Sequence, residues 1–473
     1  MFKNETNRAR KLLPPLSRRG SALPVVMLVI LVLSLLGAGL LSLTQGEGRG
    51  AANDVQINQA TYLAEAGINL ALANLRRDPG WRDGLGQTPL TGVQGYIQGV
   101  NISQQVLSYR LRSLARVGEV QRAVEVDLAR PLYTFALATA GDLDKHDQLI
   151  INGGDILALG NINNLRVIFN EDNIINVAAG GNLAVNGTLQ GSAVAGGDLY
   201  VNGTIKGDAT AGGVIYNNGK IYGNKYEGVS LTFPSFPGHP EAPYASGALL
   251  EQDTYTVAAI QAMVNDTDRT PAILYRQGDL TITAGDADGN SNGNDNGNGN
   301  GNGNGNGNGN GNGNNHGTTP YSYNGIAIIA ASGSITLDTS LLPATGGNAW
   351  AFIAGGDLNI SGGTNLGGVF IAAGTFSKGD RGKESTINGS LVTRYIGASD
   401  KNSNDTSGSN REIQGNKHNN GNGQENGKDK GNDHEIKGKL RISYNQDLVR
   451  FLAPYLSKDN WQILSWQEAS LAQ

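Results

Sequence analysis

The sequence has 473 residues, a formal net charge of −5 and no cysteine. Without cysteine, the chain forms no disulfide and no thiolate metal site. Its nearly balanced charge offers no basic surface of the kind that binds nucleic acid, so we expect no nucleic-acid partner. Glycine accounts for 69 residues, roughly twice its usual share of ~7%. These totals predict about two to four structural units, at least one of them rich in glycine.

An uncharged segment of 23 residues, Ser21 to Leu43, is the first element of the chain. At about 1.5 Å per residue, a helix over it spans about 34 Å, enough to cross the ~30 Å hydrocarbon layer of a bilayer. Residues 1–20 carry six basic side chains and one acidic one, which predicts that this leader is cytoplasmic and that the bulk of the chain lies outside. The alternative is a cleaved secretory signal, whose apolar core is shorter, about 7–15 residues. We predict a single-pass protein that is permanently anchored in membrane lipid.

A helix and a hairpin are predicted after the anchor. Three glycines in residues 45–50 are expected to soften the helix there, and helical periodicity resumes over residues 51–77. Residues 95–131 alternate polar and apolar side chains around a turn at Gly118-Glu119, which predicts an antiparallel hairpin. The positions predicted to face a core from the helix are Leu63, Ala66, Leu70 and Ala73, flanked by Ile68 and Leu72.

Three features in this order resemble the PilX-type minor pilins of type IV pilus systems. They are the sequence Arg18-Arg19-Gly20-Ser21-Ala22-Leu23, the apolar span, and Tyr62-Leu63-Ala64-Glu65-Ala66-Gly67. The resemblance covers about residues 15–130. It implies a prepilin peptidase site between Gly20 and Ser21, and an assembly interface at Glu65, Ala66 and Gly67. It also implies other pilins, the pilus assembly machinery and prepilin peptidase as partners. Major pilins carry a glutamate five residues after the cut, where this chain has Val25, and Glu65 is alternatively a solvated helix residue.

A repeat of 16 residues follows. Ala179–Val194 and Ala195–Thr210 are identical at 10 of 16 positions, a third copy spans Ala211–Tyr226, and the pattern returns at Ala354–Ile360. Short repeats with glycine corners and alternating apolar residues predict a β-solenoid. Leu183, Leu199 and Ile215 should then stack in one inward ladder, with the corner glycines supplying positive φ angles. A flat antiparallel meander is the alternative, because Asn-Gly is also a hairpin signal.

The repeat also has a weaker resemblance, at the level of its pattern, to polymer-forming bactofilin-like proteins, over residues 179–226 and 354–371. Two segments are dominated by Asn and Gly and are predicted to be disordered.

The fold class is therefore α+β: an N-terminal transmembrane, pilin-like helix with a small antiparallel sheet, followed by a mainly β, single-stranded β-solenoid with disordered insertions. The predicted organisation is a leader (1–20), a transmembrane helix (21–43), a pilin-like helix with antiparallel strands (44–131), a first solenoid part (132–230), a linker with a short helix (231–272), a second solenoid part (273–397) with the disordered insertion 284–321, a disordered segment (398–437), and a C-terminal strand, helix and strand (438–473).

Residues for catalysis or metal binding are scarce. His146 and His239 alone lack the further ligands that a zinc site needs. Four aspartates follow glycine at equivalent positions: Asp142, Asp155, Asp198 and Asp357. Such a row resembles a site that binds calcium or attacks a glycan, but recurrence at the repeat period favours turn residues that bond to their own backbone. We predict no catalytic residue, no metal site, no cofactor and no enzymatic activity.

The sequence thus predicts a minor-pilin-like structural protein that takes part in type IV pilus assembly or is displayed as an adhesive surface component with an unknown ligand. A glycan-active β-helix enzyme on a membrane stalk and a self-assembling bactofilin-like scaffold are the alternatives.

Overall fold

A computed structural model describes residues 22–144, 149–165, 174–285, 320–379, 383–397, 439–456 and 461–470. The predicted leader, the disordered segment 398–437 and all but the ends of the insertion 284–321 lie outside the described residues. The α+β class is confirmed: a long helix packs on a small antiparallel sheet, and a parallel β-solenoid forms the rest.

A single helix, α1, runs from Ala22 to Arg77. The helix continues through Gly46, Gly48 and Gly50 without a break, so helix does not resume at residue 51 but is continuous there, while the softening at residues 45–50 stays a prediction. Each glycine weakens a helix by about 1 kcal/mol relative to alanine. These glycines nevertheless keep their place in the helical hydrogen-bond ladder, and the long flanking segments favour helix on both sides.

The second half of α1 packs on a five-stranded antiparallel sheet, and we call this unit the headpiece. Four strands follow α1 directly and the fifth is the last strand of the chain, which pairs with β4. The strands are β1 Thr88–Pro89, β2 Tyr96–Gln104, β3 Ser108–Val117, β4 Val120–Ala129 and the C-terminal strand Ile463–Ala469. The predicted hairpin is confirmed as β3 and β4, paired from Val117 and Val120 outward.

The buried face of α1 differs from the predicted one. Leu70 is 39% exposed and Ala73 is also exposed. The buried positions are Ala60, Leu63, Ala64, Ile68, Ala71 and Leu75. Alanine and leucine recur at helical spacing on both sides of this helix, so periodicity alone does not select which side meets the sheet.

The remaining strands form coils with three faces and parallel pairing between coils. The predicted ladder is confirmed, since Leu183 pairs with Leu199 and Leu199 with Ile215. Face 1 contains Leu137–Thr139, Ile156–Ala158, Val177–Ala179, Ala193–Ala195, Ala209–Ala211, Lys225–Tyr226, Ala248–Leu249, Ala272–Arg276, Ile326–Ala331 and Ala349–Ala354. Face 2 contains Leu143–Asp144, Ile162–Leu165, Leu183–Val185, Leu199–Val201, Ile215–Asn217, Thr254–Thr256, Leu280–Thr283, Ile335–Leu337 and Leu358–Ile360. Face 3 contains Leu149–Asn152, Thr188–Leu189, Thr204–Ile205, Lys220–Ile221, Tyr321–Tyr323, Leu341–Pro343 and Leu440–Ser443, while Asn365–Lys378 and Ser385–Gly397 bend through all three faces.

The coils do not stack in chain order. The stack begins with the coil of Ala248–Leu249 and continues to Ser385–Gly397, whose residue Leu391 pairs with Leu137. From there the stack continues through the first repeats to Lys225–Tyr226. The two predicted solenoid parts therefore form one stack in which the second part comes first. Face 1 has twelve stacked strands in the described residues, so the stack is about 50 Å long.

One coil at the centre of the stack is built from two distant parts of the chain. Leu440–Ser443 pairs with Ser385–Asn388 on one side and with Leu149–Asn152 on the other. Because β4 leads into this region and the C-terminal strand returns from it to the headpiece, the solenoid is an insertion within the headpiece sheet. The prediction that the solenoid simply follows the sheet is wrong in this respect.

Close stacking, rather than positive φ, explains the corner glycines of the repeat. The repeat glycines Gly180, Gly196 and Gly212 are absent from the positive-φ residues of the described chain. Instead, a methyl group added at Gly196 would overlap the carbonyl oxygen of Gly180 in the neighbouring coil. The predicted reason for these glycines is therefore wrong, although their position at the corners is correct.

Two further helices and a return segment cover the solenoid. Helix α2, Val257–Asn265, lies at the first coil and buries Val257, Ile260 and Val264. Helix α3, Gln446–Leu456, packs on the outward side of face 1. Residues 227–247 (the return segment) connect the two ends of the stack and lie against the same side. Short 3-10 helices occur at Leu132–Thr134 and Ala242–Tyr244.

Candidate assembly site

The first half of α1 is fully exposed. Its large apolar side chains between Leu23 and Leu43 are from 44% to 70% exposed. In the part of the chain that the structure describes, α1 is the one helix long and apolar enough, by length and composition, to cross a membrane. An uncharged apolar surface of this length is unfavourable in water and favourable in lipid. The arrangement is compatible with a single-pass anchor.

The second half of the same helix is part of a core. Ala64, Ile68 and Leu75 are buried against the sheet, together with Leu111 and Val126 from β3 and β4. Residues on the opposite side of this segment stay uncovered, with Val55 54%, Tyr62 70% and Leu70 39% exposed. We call these three residues the exposed stripe of α1. One side of this segment is therefore packed on the chain's own sheet, whereas the other side is exposed and can contact a neighbouring subunit.

The three residues predicted as an assembly interface do not share one environment. Gly67 is buried on the chain's own sheet, where an added methyl group would overlap the hydroxyl oxygen of Ser113. Glu65 and Ala66 are half-buried. Gly67 therefore serves close packing of helix on sheet, whereas Ala66, four residues from both Tyr62 and Leu70, lies on the same side of the helix as the exposed stripe.

The predicted cleavage residues Gly20 and Ser21 lie outside the described residues, and the described part of α1 begins at Ala22. Val25, which stands where major pilins carry glutamate, is in the first described turn of the helix and is 60% exposed.

The repeated aspartates are acceptors in ladders that run along the solenoid. The carboxylate of Asp142 accepts the backbone N–H of Asn161 (2.6 Å), and that of Asp198 accepts the N–H of Val214 (2.9 Å). Asp357 accepts the N–H of Thr375 (2.7 Å) in the same way. Each bond joins one coil to the next, so the structure differs from the predicted bond within one turn. These side chains therefore stabilise the register between neighbouring coils.

Asp155 belongs to a second ladder and to a buried ion pair. Its Oδ1 accepts the N–H of Asn176 (2.9 Å), while its other carboxylate oxygen accepts from the guanidinium of Arg130. Arg130 follows β4 directly and also donates to the carbonyls of Val106 (2.9 Å) and Thr134 (3.2 Å). Its side chain is only 3% exposed. Burial lowers the pKa of Arg130, but the charge and hydrogen bond of the Asp155 carboxylate, together with the nearby Tyr109 and Tyr444, raise it by more, so that the net shift of the pKa is upward.

This ion pair joins the headpiece to the solenoid, and an exposed pair accompanies it. Asp78, just after α1, lies 3.1 Å from the guanidinium Nε of Arg450 in α3. Sequence reasoning missed Arg130 because a lone arginine after a strand has no recognisable spacing. Asp155 was found as a repeat residue, but the sequence does not show its partner.

The described residues contain no group of three or more His, Asp or Glu side chains that could hold a metal ion. His239 is described and lies 3.3 Å from Glu241, whereas His146, His316, His418 and His434 lie outside the described residues.

No protein-family model and no curated protein matches the chain. Among solved structures, the chain is similar to the competence-associated pilin ComZ from Thermus thermophilus. The similarity has 14% sequence identity and a TM-score of 0.33, and it covers 88% of this chain and 97% of that one. A TM-score this low supports no inference about this chain.

Proposed function

We propose that the chain is a membrane-anchored structural subunit of the minor-pilin type, which carries its solenoid on the export side of the membrane. The observation that carries the proposal is the division of α1. Its first part, from Ala22 to Leu43, is an exposed, uncharged span, and its second half is the core helix of a small antiparallel sheet. A subunit built in this way is held in lipid by one end of a helix while its folded part stands outside.

The basic leader supports a cytoplasmic N-terminus and an outward headpiece. In the finer form of the proposal, the chain is PilX-like, is processed by prepilin peptidase between Gly20 and Ser21, and enters type IV pilus assembly. The anchor helices of neighbouring subunits are expected to associate by close packing. We assign the exposed stripe of α1 to that contact. Ala66, four residues from both Tyr62 and Leu70, lies on the same side of the helix.

The proposal assigns display and assembly to this chain, and no turnover. Asp142 and Asp198, which occupy equivalent positions of the repeat, accept backbone N–H groups of neighbouring coils. An acceptor used in this way is a structural element of each coil rather than a free acid or base. The solenoid is then a surface that projects from the subunit, about 50 Å long by the count of its face 1 strands.

The direct test of processing is mass analysis of the N-terminus of the native protein from a cell that expresses prepilin peptidase. The proposal predicts a mature chain that begins at Ser21 and is recovered with the membrane. A full-length chain in the soluble fraction, with Met1 retained, would contradict it.

The assembly surface is tested by cross-linking, since the natural chain has no cysteine. Tyr62→Cys in the exposed stripe should cross-link to another pilin-like subunit through a reagent that carries a maleimide for the new thiol and a photoreactive benzophenone for any neighbouring C–H bond. Asn101→Cys is the matched control, because Asn101 is exposed on the headpiece sheet away from the stripe. Equal cross-linking at the two positions would remove the stripe from the proposal.

A further inference from the structure

Exposed tyrosines are concentrated at one end of the solenoid. Six tyrosines are exposed among the described residues, and four of them lie in residues 200–226, in the last coils of the stack. They are Tyr200 (38% exposed), Tyr216 (46%), Tyr222 (56%) and Tyr226 (47%). Neither the membrane anchor nor the exposed stripe of α1 includes them. A cluster of exposed aromatic rings on a folded unit indicates a binding surface.

Two of these rings form a short ladder on face 2. Tyr200 and Tyr216 are partners in neighbouring strands, and their rings stack with centroids 5.0 Å apart and planes at 10°. Among the described residues, Ile215–Asn217 is the last strand of this face, so no further coil covers the outer face of the Tyr216 ring. The face of an aromatic ring carries partial negative charge and attracts polarised C–H groups. The ladder therefore presents a flat, rigid surface to a ligand.

Positive charge lies on face 3 of the same coils. The Nζ atoms of Lys206 and Lys220 are 4.3 and 4.8 Å from the centroid of the Tyr222 ring. Both lysines are exposed, and neither forms an ion pair with a carboxylate of the described residues. A hydrogen bond with Lys220 and the charge of Lys206 lower the pKa of Tyr222. This part of the solenoid therefore favours a ligand with negative charge.

Amide side chains occupy the corner between the two faces. Asn202 donates to the amide oxygen of Asn186 (3.0 Å), and Asn218 donates to that of Asn202 (3.2 Å). Asn218 is the last amide of this row and is exposed. An exposed amide can both donate to hydroxyl groups and accept from them. The terminal patch, as we call it, consists of Tyr216, Tyr222, Lys206, Lys220 and Asn218.

Other classes of partner fit the terminal patch less well. Addition of a strand from a second copy is opposed by Lys220 and Lys225, because lysine on the edge of a sheet hinders pairing with another chain. A duplex nucleic acid carries about one charge per 1.7 Å, whereas residues 195–226 have three lysines against two aspartates. A purely apolar partner would bury the ammonium and amide groups without polar partners. A ligand with flat C–H faces, hydroxyl groups and widely spaced negative charges matches the rings, the ammonium groups and the amide together.

We propose that the terminal patch binds an anionic polysaccharide whose sugar rings carry carboxylate groups. The ammonium groups of Lys206 and Lys220 bind carboxylate. The outer face of Tyr216 contacts the C–H face of a sugar ring, and Asn218 binds sugar hydroxyls. The patch binds the polymer and breaks no bond in it. This binding is a property of the solenoid, and it does not depend on processing at Gly20 or on pilus assembly.

The probe is a polygalacturonate fragment, and its binding to the full-length chain in detergent is measured by isothermal titration calorimetry. We expect saturable binding that weakens at least tenfold for the methyl ester of the same fragment, which keeps the sugar rings but has no charge. Binding should also weaken at least tenfold in about 1 M salt, where the screening length falls to about 3 Å. Absence of saturable binding, or equal binding of the methyl ester, would overturn the proposal. Tighter binding of single-stranded DNA of the same length would also overturn it and assign the patch to nucleic acid.

Substitutions at exposed positions locate the binding. Lys206→Gln combined with Lys220→Gln, and separately Tyr216→Ala, should each weaken polygalacturonate binding at least tenfold. The matched controls are Lys439→Gln and Tyr395→Ala, which remove an exposed lysine and an exposed tyrosine near the centre of the stack and should leave binding unchanged. If the patch variants bind like the natural chain, or if the controls lose binding equally, the terminal patch is not the site.

Discussion

The headpiece and the solenoid bury apolar side chains in different ways. In the headpiece, one side of α1 meets one face of an antiparallel sheet, and each contact, such as that of Gly67 with Ser113, occurs once. In the solenoid, each residue stacks on its equivalent in the next coil, as Leu183 does on Leu199. A change in the headpiece therefore acts on one contact, whereas a change in the solenoid acts on two neighbouring coils. At the junction between the headpiece and the solenoid, one buried ion pair, Arg130 with Asp155, joins the two units.

The largest effect is expected at that junction. Arg130→Ala leaves the buried carboxylate of Asp155 without its charged partner, which should destabilise the protein by about 3–5 kcal/mol. The matched control is Arg110→Ala, which removes an ion pair to Asp127 on a side chain that is 43% exposed and should cost about 1 kcal/mol or less. Urea unfolding of both variants in one detergent measures the difference. Equal losses would show that the junction does not depend on the buried pair.

The next effect concerns the approach of one coil to another. Gly196→Ala places a methyl group against the carbonyl of Gly180, and overpacking of this kind should cost about 1–3 kcal/mol. Gly346→Ala is the control, because nothing lies within 4 Å of the added carbon there. Thermal unfolding of the two variants should separate them clearly. A neutral Gly196→Ala would contradict close stacking at this corner.

The headpiece has its own close approach, with an effect confined to one contact. Gly67→Ala should cost about 1–2 kcal/mol because the new methyl group meets the hydroxyl of Ser113. In the double variant with Ser113→Gly, part of this loss should be recovered, since the obstacle is removed. A double-mutant cycle measures the coupling, and purely additive losses would show that the two residues do not meet.

The smallest effect separates a structural aspartate from a catalytic one. Asp198→Asn keeps an acceptor oxygen for the N–H of Val214 and should change stability by less than about 0.5 kcal/mol, whereas Asp198→Ala loses that bond and about 1 kcal/mol. Stability of the two variants is compared by thermal unfolding. A glycan-cleaving activity that Asp198→Asn abolishes would contradict the structural role.

Much of the local structure could be predicted from the sequence, because local patterns determine it. Alternation in residues 95–131 specified the hairpin, and the 16-residue repeat specified parallel coils with Leu183 inward. The buried side of α1 could not be specified, since alanine and leucine lie on several sides of it. The order of the coils could not be specified either, because Leu391 and Leu137 are distant in sequence and any coil end presents the same backbone groups.

The site was predictable in part for the same reason. The uncharged span and the residues Glu65, Ala66 and Gly67 are visible in sequence, but only the structure separates Gly67, on its own sheet, from the exposed stripe. The last strand was predicted at the end of the segment 438–473, yet its partner, β4, is more than 300 residues away. Pairing between strands so distant in sequence does not alter the local periodicity of either strand.

One measurement tests the insertion of the solenoid most directly. Asn152 and Ser443 lie side by side in neighbouring coils, with the side-chain amide of Asn152 3.3 Å from the hydroxyl of Ser443, although 291 residues separate them. In a chain that otherwise lacks cysteine, Asn152→Cys with Ser443→Cys should form a disulfide, found by mass spectrometry of the non-reduced digest. Tyr226→Cys with Leu249→Cys, which would be neighbours only if the coils stacked in chain order, should not. A disulfide in the second pair and none in the first would contradict the architecture described above.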